Sequence, residues 1–362
     1  MSCARSAERK LSLHRAIGAL ALGLIGCTSA EVTAPSRDLH ASFSASSAVP
    51  STTGFDMVDL GNLGGSAHAT AINPAGMVVG SSETTDGYFR GFLWRDGKMI
   101  DLGSLGSGFS QATGISPSGD VVGWSWTAQF DMHAFIWQNG TMRDLGTLGA
   151  GPEIGEWSAA TGINASGSVV GQSTTVDNVT SAVLWRRGQM IDLGTLGGKF
   201  SGATAIDAAG EVVGESQTPG GYFMSSAFRW KNGIMTRLGS LGGRSSATGV
   251  ANGHVVGVST TTSGEPHAFL WHNGVMRDLG TLGGIISHAR GVNPSGWVVG
   301  MSEIQSTEST HHAFLWRDGH MIDLGTLPGG FSSQATAISP SGRIVGISSA
   351  PDGDHAVMWI PK

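Results

Sequence analysis

The chain has 362 residues, of which 57 are glycine and only 13% are charged, and its formal net charge at pH 7 is -6. Glycine at this density without a triplet period indicates many turns and excludes collagen, and the supply of aromatic and β-branched residues excludes a disordered low-complexity chain. No basic stripe occurs after residue 37, so we expect no nucleic-acid partner.

The first 26 residues have the pattern of an export signal. Four basic residues precede the apolar run 16–26, which is too short to cross a bilayer as a helix. The run ends in Leu-Ile-Gly before Cys27, and this ending resembles a bacterial lipobox. Residues 1–26 are therefore predicted to be a signal peptide and Cys27 to be lipidated. The alternative is an ordinary signal peptide that is cut near Ala30.

The residue after Cys27 is Thr28 rather than Asp, which by the usual bacterial rule favours the outer membrane or the cell surface. We expect an exported lipoprotein that touches the membrane only through its lipid; a secreted or periplasmic protein is the alternative. The one other cysteine, Cys3, lies in the predicted signal peptide, so no disulfide can form within the mature chain. Residues 27–54 are rich in Ser, Thr, Ala and Pro and are predicted to be a flexible tether.

From residue 55 onward the sequence repeats seven times. Each unit contains an Asp-Leu-Gly segment, a Val-Val-Gly segment and a short apolar segment that ends in Trp, with single departures such as Ile-Val-Gly in the last unit. The tryptophans recur at intervals of 41 to 48 residues: Trp94, Trp137, Trp185, Trp230, Trp271, Trp316 and Trp359. A period in the low forties is the length of one four-stranded propeller blade.

Turn residues divide each unit into four short strands. In the sixth unit the first two strands are predicted over 287–292 and 297–301, separated by Asn-Pro-Ser-Gly. The folded part begins with a fourth strand, 55–61, and ends with a third strand, 355–359. The N-terminal strand is therefore expected to complete the last blade and to close an all-β, seven-bladed β-propeller of four-stranded antiparallel blades over residues 55–362. An open β-solenoid is the alternative architecture.

A His-Ala-Phe motif begins the third strand of three units, at His133, His267 and His312. Together with Asp-Leu-Gly-Thr-Leu-Gly-Gly, this motif recurs in register over about residues 55–360 and resembles the HAF-repeat family of bacterial extracellular proteins. The resemblance implies an exported repeat protein and carries no catalytic residues. Three units lack the histidine of this motif, and the residues predicted to occupy its position are Gly91, Ser181 and Ser226.

The acidic residue of Asp-Leu-Gly occurs in six units and is replaced by Arg237 in the remaining one: Asp59, Asp101, Asp144, Asp192, Asp278 and Asp323. Its position predicts a carboxylate that accepts N–H bonds in the following turn. Histidine begins the third strand in four units, His355 included, and the gaps at the other three argue against a ring of metal ligands. We expect no metal, no cofactor and no catalytic residue, because no motif of a known catalytic class occurs.

Such a blade places the repeated turns on one face of the ring, and the variable loops and the crossovers on the other. The aromatic residues that do not belong to the repeat fall on this second face and are the candidate ligand-binding residues: Tyr88, Trp124, Trp126, Trp157 and Tyr222. Exposed aromatic rings suit sugars and peptides, although they also serve to plug a channel or cover loop backbone. Acidic neighbours offer a pair for glycoside chemistry: Glu83, Asp86, Asp131, Glu153 and Glu156.

These patterns favour a monomeric binding module rather than an enzyme. Its expected partner is a glycan, a peptide or another surface protein. Two alternatives remain at this point: a propeller-type polysaccharide hydrolase or lyase, and a structural surface protein without a small ligand.

Overall fold

A computed structural model describes residues 49–50, 54–149, 155–220, 225–305 and 310–362. The predicted signal peptide, Cys27 and most of the predicted tether lie outside these residues. Within the described ranges the chain forms strands joined by turns and loops, and no helix. None of these segments is a helix of the length and apolarity needed to cross a membrane.

The strands pair antiparallel along the chain. They are β1 (Val49–Pro50), β2 (Phe55–Asp59), β3 (Gly64–Ile72), β4 (Val78–Thr84), β5 (Phe89–Arg95), β6 (Lys98–Asp101), β7 (Gly106–Ile115), β8 (Val121–Thr127), β9 (Met132–Gln138), β10 (Thr141–Asp144), β11 (Ser158–Ile163), β12 (Val169–Thr174), β13 (Thr180–Arg186), β14 (Gln189–Asp192), β15 (Ser201–Ile206), β16 (Val212–Gln217), β17 (Ser225–Lys231), β18 (Ile234–Gly239), β19 (Gly242–Ala251), β20 (His254–Thr261), β21 (Pro266–His272), β22 (Val275–Asp278), β23 (Gly283–Val292), β24 (Val298–Ile304), β25 (His311–Arg317), β26 (His320–Asp323), β27 (Ser333–Ile338), β28 (Ile344–Ala350) and β29 (Gly353–Pro361).

These strands form seven sheets that follow one another around a ring. Blades one to six are each built from four consecutive strands: β3–β6, β7–β10, β11–β14, β15–β18, β19–β22 and β23–β26. Blade seven consists of β27, β28, β29 and β2, with β1 at its outer edge. The first strand of every blade lines the centre of the ring. The predicted seven-bladed β-propeller is confirmed.

The ring closes through β2. This strand pairs antiparallel with β29, with Met57 opposite Trp359, so the strand predicted over 55–61 completes the last blade as the sequence predicts. Val49 in turn pairs with Met57. The last part of the predicted tether therefore adds a short strand to the rim of blade seven.

The hydrophobic core is divided among the interfaces between neighbouring blades. Val78 of blade one belongs to a buried cluster with Met358 of blade seven. The next residue, Val79, belongs to a cluster with Phe135 of blade two. Successive side chains of a strand point to opposite faces, so each Val-Val pair contributes one side chain to each neighbouring interface.

The glycine after Val-Val is explained by a close approach of two backbones. A Cβ atom on Gly80 would lie 1.9 Å from the carbonyl oxygen of His68 in the adjacent first strand. The six equivalent glycines would place a Cβ atom 1.9 to 2.0 Å from the corresponding oxygen. Any larger residue at this position would force the first and second strands of the blade apart.

Hydrogen bonds hold the crossovers between blades. Each repeated Asp accepts a bond from the N–H of the glycine two residues later, at 2.7 to 2.9 Å, as predicted. The leucine that follows in each crossover donates its N–H to a serine two positions after Val-Val-Gly. The crossover also extends the first strand of blade six, predicted over 287–292, because Gly283 pairs with Ile304 at the end of β24.

Candidate functional site

Different connections form the two faces of the ring. The loops between second and third strands lie beside the crossovers on one face, which we call the loop face. Ser107, where a crossover leads into β7, donates to the carbonyl of Trp126 near the end of β8 at 3.2 Å. The repeated turns lie on the opposite face, the turn face, where Asn73 donates to the carbonyl of Ser116 in the turn of the next blade at 3.0 Å. The predicted separation of variable loops from repeated turns is confirmed.

On the loop face, an aromatic pair joins blades one and two. The Tyr88 ring stands edge-on to Phe109, with 5.0 Å between ring centroids. Tyr88 lies in the loop that leads to β5, whereas Phe109 lies near the start of β7. Both rings remain exposed, at 37% and 40% of their accessible surface. The pair therefore offers two apolar ring surfaces to a ligand without further rearrangement.

A charged network holds this pair in place. The guanidinium of Arg90 lies 5.7 Å from the centroid of the Tyr88 ring, and it donates to Asp86 at 2.7 Å and to Asp101 at 3.0 Å. Its Nε atom donates to the carbonyl of Gly108 near the start of β7 at 3.1 Å. Partial burial disfavours the charge of Arg90, but the hydrogen bonds and charges of Asp101 and Asp86 outweigh it and raise its pKa. The cation is thus firmly held beside Tyr88.

Trp124 and Trp126 lie within β8 rather than in the loop that follows it, and both are half-buried. They are two residues apart, so their side chains point to the same face of the blade. Blade three packs against β8 through β11. These two tryptophans are therefore part of the interblade packing near the loop face and offer less free ring surface than Tyr88.

Trp157 directly precedes β11 and is half-buried. Its N–H donates to the hydroxyl of Thr174 at 3.0 Å, and its carbonyl accepts the N–H of Thr174 at 3.0 Å. The residue is thereby fixed at the entrance of blade three on the loop face. Tyr222, the fifth candidate, lies outside the described residues.

The structure adds aromatic residues that sequence reasoning missed. Phe109, Phe130 and Phe331 lie on the loop face and are exposed, the last two at 65% and 69% of their accessible surface. Phe130 also has a positive φ of 62°, which is uncommon for a bulky residue. One signal was present in the sequence: the residue before the first-strand serine is aromatic in blades two, three and four, at Phe109, Trp157 and Phe200.

Two of the five proposed acidic residues are engaged in local side-chain contacts that leave them poorly suited to catalysis. Asp86 accepts from the Thr84 hydroxyl and from Arg90, and the Thr84 bond and the Arg90 charge lower the pKa of Asp86 despite partial burial. Glu156 accepts from the Thr147 hydroxyl at 2.6 Å. Glu153 lies outside the described residues. An ionised Asp86 that is paired with Arg90 does not suit the proton-donating half of a glycosidase pair.

The repeated histidines bind to the repeated aspartates. The Nδ1 atoms of His133, His267, His312 and His355 lie 2.7 to 2.8 Å from aspartate oxygens in the adjacent fourth strand. Within the described ranges, no group of three or more His, Cys, Asp or Glu side chains is placed to hold a metal ion. The strand register corrects the residue predicted at the His position of blade one. Ser82 of β4 pairs with Arg90, just as Ser125 of β8 pairs with His133. Arg90, not Gly91, therefore occupies the His position of blade one.

Comparison with solved structures supports the fold alone. The β-propeller domain of the trilobed protease from Pyrococcus furiosus, described as having an open velcro topology, is 9% identical, with a TM-score of 0.55 over 82% of this chain and 94% of that one. A puromycin-hydrolysing peptidase from Mycobacterium tuberculosis is 12% identical, with a TM-score of 0.53 over 88% of this chain and 50% of that one. An acylaminoacyl peptidase from Pyrococcus horikoshii is 11% identical, with a TM-score of 0.51 over 83% of this chain and 52% of that one.

The chain thus spans about half the length of each of these two peptidases. No protein-family model and no curated protein matches the sequence.

Proposed function

We propose that this protein is an exported, lipid-anchored β-propeller of the HAF-repeat kind that binds a ligand through its loop face without catalysis. The export pattern of residues 1–26 and the lipobox-like ending before Cys27 support the location. The ring supplies a rigid scaffold, and loops on a rigid scaffold are common carriers of binding function.

The observation that carries the proposal is the Tyr88–Phe109 pair. Two exposed rings that meet edge-on, with Arg90 held against one of them, form a preorganised surface at the junction of blades one and two. Such a surface suits a ligand with an apolar face and polar edges, as sugars and peptides have. Asp86 and Asp101 beside the rings supply hydrogen-bond acceptors for the polar edges.

The test is a binding screen of the purified chain on glycan and peptide arrays. We expect the double variant Tyr88→Ala, Phe109→Ala to bind the array ligand of the wild type at least about ten-fold more weakly. The reason is that aromatic anchors supply most of the binding energy of such surfaces. The matched control is Ile234→Ala, Val275→Ala, which removes two exposed apolar side chains beside turns of the opposite face. Unchanged binding of the Tyr88, Phe109 variant, or an equal loss in the control, would contradict the proposal.

The lipid anchor is tested separately by metabolic labelling with palmitate. We expect the wild-type chain to incorporate label and to fractionate with membranes, and the variant Cys27→Ala to do neither, because the thiol is the acceptor of the lipid. A Cys27→Ala protein that still carries label would refute this part of the proposal.

A further inference from the structure

A cavity of about 260 Å³ occupies the centre of the ring at the end that adjoins the turn face. The closing residues of all seven first strands line it, in three layers. The layer nearest the turns consists of Ile or Val, the next of Ala or Gly, and the deepest of five threonines and one residue of another type. The volume is large compared with the space of about 10–15 Å³ that a single water molecule requires.

The threonine layer has a structural role in six blades. Each threonine hydroxyl donates to the carbonyl of an alanine in the next blade at 2.8 to 2.9 Å: Thr70 to Ala112, Thr113 to Ala160, Thr161 to Ala203, Thr204 to Ala247, Thr248 to Ala289 and Thr336 to Ala69. Blade six carries Arg290 at this position. The ring of interblade bonds is therefore interrupted once, and a guanidinium lies where the repeat would place a small hydroxyl.

Arg290 lines the cavity and has no counterion among the described residues. In the same part of the chain its side chain makes no hydrogen bond, and the residue is exposed. The surrounding protein lowers the pKa of Arg290 by disfavouring its charge, and no carboxylate offsets this effect. Burial, and then the charges of Arg290 and His311, lower the pKa of His288. Arg290 is exposed within a cleft that has protein walls, and such a cleft attracts an incoming anion to its charge more strongly than an open surface does.

The geometry points to a binding site for a small organic carboxylate in this central cavity, with Arg290 as the residue that pairs with the carboxylate. The planar guanidinium fork matches a carboxylate in bidentate geometry. The collar of Ile72, Ile115 and their equivalents offers apolar contact to a short hydrocarbon chain. This site lies at the opposite end of the ring from the aromatic pair of the loop face and does not depend on the function proposed for that pair.

The test uses butyrate as the probe and the purified full chain, in ligand-observed NMR at constant ionic strength. Butyramide has the same shape without the charge, and inorganic phosphate supplies the charge without the hydrocarbon. Arg290→Thr restores the residue found in the other six blades, so its hydroxyl can donate to Ala335 as the six equivalents do. Arg290→Met removes the charge but keeps an unbranched side chain. The control Arg186→Thr removes an exposed arginine beside a turn of blade three.

We expect the wild type and Arg186→Thr to bind butyrate, and both Arg290 variants to bind it at least about ten-fold more weakly, because a hydrogen-bonded charge pair is lost. Butyramide and phosphate should bind more weakly than butyrate to the wild type. Three results would overturn the site: no butyrate binding by the wild type, equal binding by folded Arg290→Thr or Arg290→Met, or tighter binding of butyramide or phosphate than of butyrate.

Discussion

The imidazole of His355 and the carboxylate of Asp59 meet at 2.7 Å across the seam where the two ends of the folded chain join. Asp59 lies in β2, the first strand of the repeat region, and His355 lies in β29, the last strand of the chain. Backbone pairing between these strands, which places Asp59 opposite Val357, closes the ring. The same His–Asp contact occurs within single blades elsewhere, but only this one ties the beginning of the ring to its end.

The first prediction concerns the pH dependence of this seam. Burial by itself would lower the pKa of His355, but the hydrogen bond and charge of Asp59, with the charge of Asp352, raise it above the ordinary value of 6.5. Because the pKa of His355 is raised in the folded state, the charged pair contributes its full stabilisation of the fold below about pH 6.5. This contribution is lost as the pH rises through the pKa of the folded state. We expect His355→Ala to lower the free energy of unfolding by about 1–2 kcal/mol at about pH 5.5 and by less at about pH 9.

Urea unfolding at the two pH values measures this effect. His312→Ala is the control, since it removes an equivalent contact with Asp323 inside blade six. A larger increase in the unfolding rate for His355→Ala than for His312→Ala would locate the effect at the seam. An equal loss at both pH values for His355→Ala would contradict the ionic origin of the stabilisation.

The second prediction concerns a serine that links neighbouring blades. Ser110 accepts the N–H of Gly91 at 2.9 Å and donates to the carbonyl of Gly103 at 2.5 Å, both in the preceding blade. Five other blades have the same arrangement, whereas blade one has Ala67 at this position. Ser110→Ala should destabilise by about 2–4 kcal/mol, because two buried backbone groups lose their partner.

The reverse change, Ala67→Ser, should stabilise the ring by about 1 kcal/mol, because its hydroxyl would reach Ala356 and Gly61 as Ser110 reaches its partners. Chemical denaturation of both variants beside the wild type measures the two effects. A destabilised Ala67→Ser protein would show that blade one has no room for this hydroxyl.

The third prediction separates two kinds of glycine. A Cβ atom on Gly123 would lie 1.9 Å from the carbonyl oxygen of Gln111, so Gly123→Ala should cost about 3 kcal/mol or more, or prevent folding. On Gly162 the nearest atom to a Cβ would be 3.6 Å away, an ordinary contact. Gly162→Ala should therefore change the stability by less than about 1 kcal/mol. Thermal unfolding of the two variants measures this difference in stability. Similar melting temperatures would contradict the explanation that Gly123 is required by the close approach of two backbones.

The fourth prediction concerns Glu215, in the second strand of blade four. Burial raises the pKa of Glu215 above its ordinary value of 4.5, against a hydrogen bond from Ser246 and the charge of Arg244. The folded state thus prefers the protonated form, and stability declines as the pH rises from about 4.5 through the folded pKa. Glu215→Gln should be more stable than the wild type at about pH 8, with the difference shrinking towards about pH 4.

Glu265 is the control for this change, because the hydrogen bond of Ser263 lowers its pKa instead. Glu265→Gln should give no gain in stability at about pH 8. If both variants gave the same pH profile in urea unfolding, the effect of Glu215 could not come from burial of its charge.

One periodic contact follows directly from the sequence. The Asp before Leu-Gly accepts the predicted N–H bond in all six units that carry it, because this contact spans only two residues and depends on local geometry. The prediction that Gly91 occupies the His position of blade one is wrong, because sequence similarity alone does not show which residues pair across neighbouring strands. The strand register places Arg90 at this position, where it pairs with Asp101 and also lies against the ring of Tyr88.

The number of blades, their order and the closure by β2 follow from the amino-acid sequence alone, because repeat length, turn residues and the unmatched end strands are all local features. Which side chains come into contact depends instead on how the blades pack in the folded ring. Tyr88 contacts Phe109, and the threonine hydroxyls reach carbonyls more than 40 residues away, only because blades pack side by side. For the same reason the place of Arg290, in a cavity that seven first strands share, becomes visible only in the closed ring.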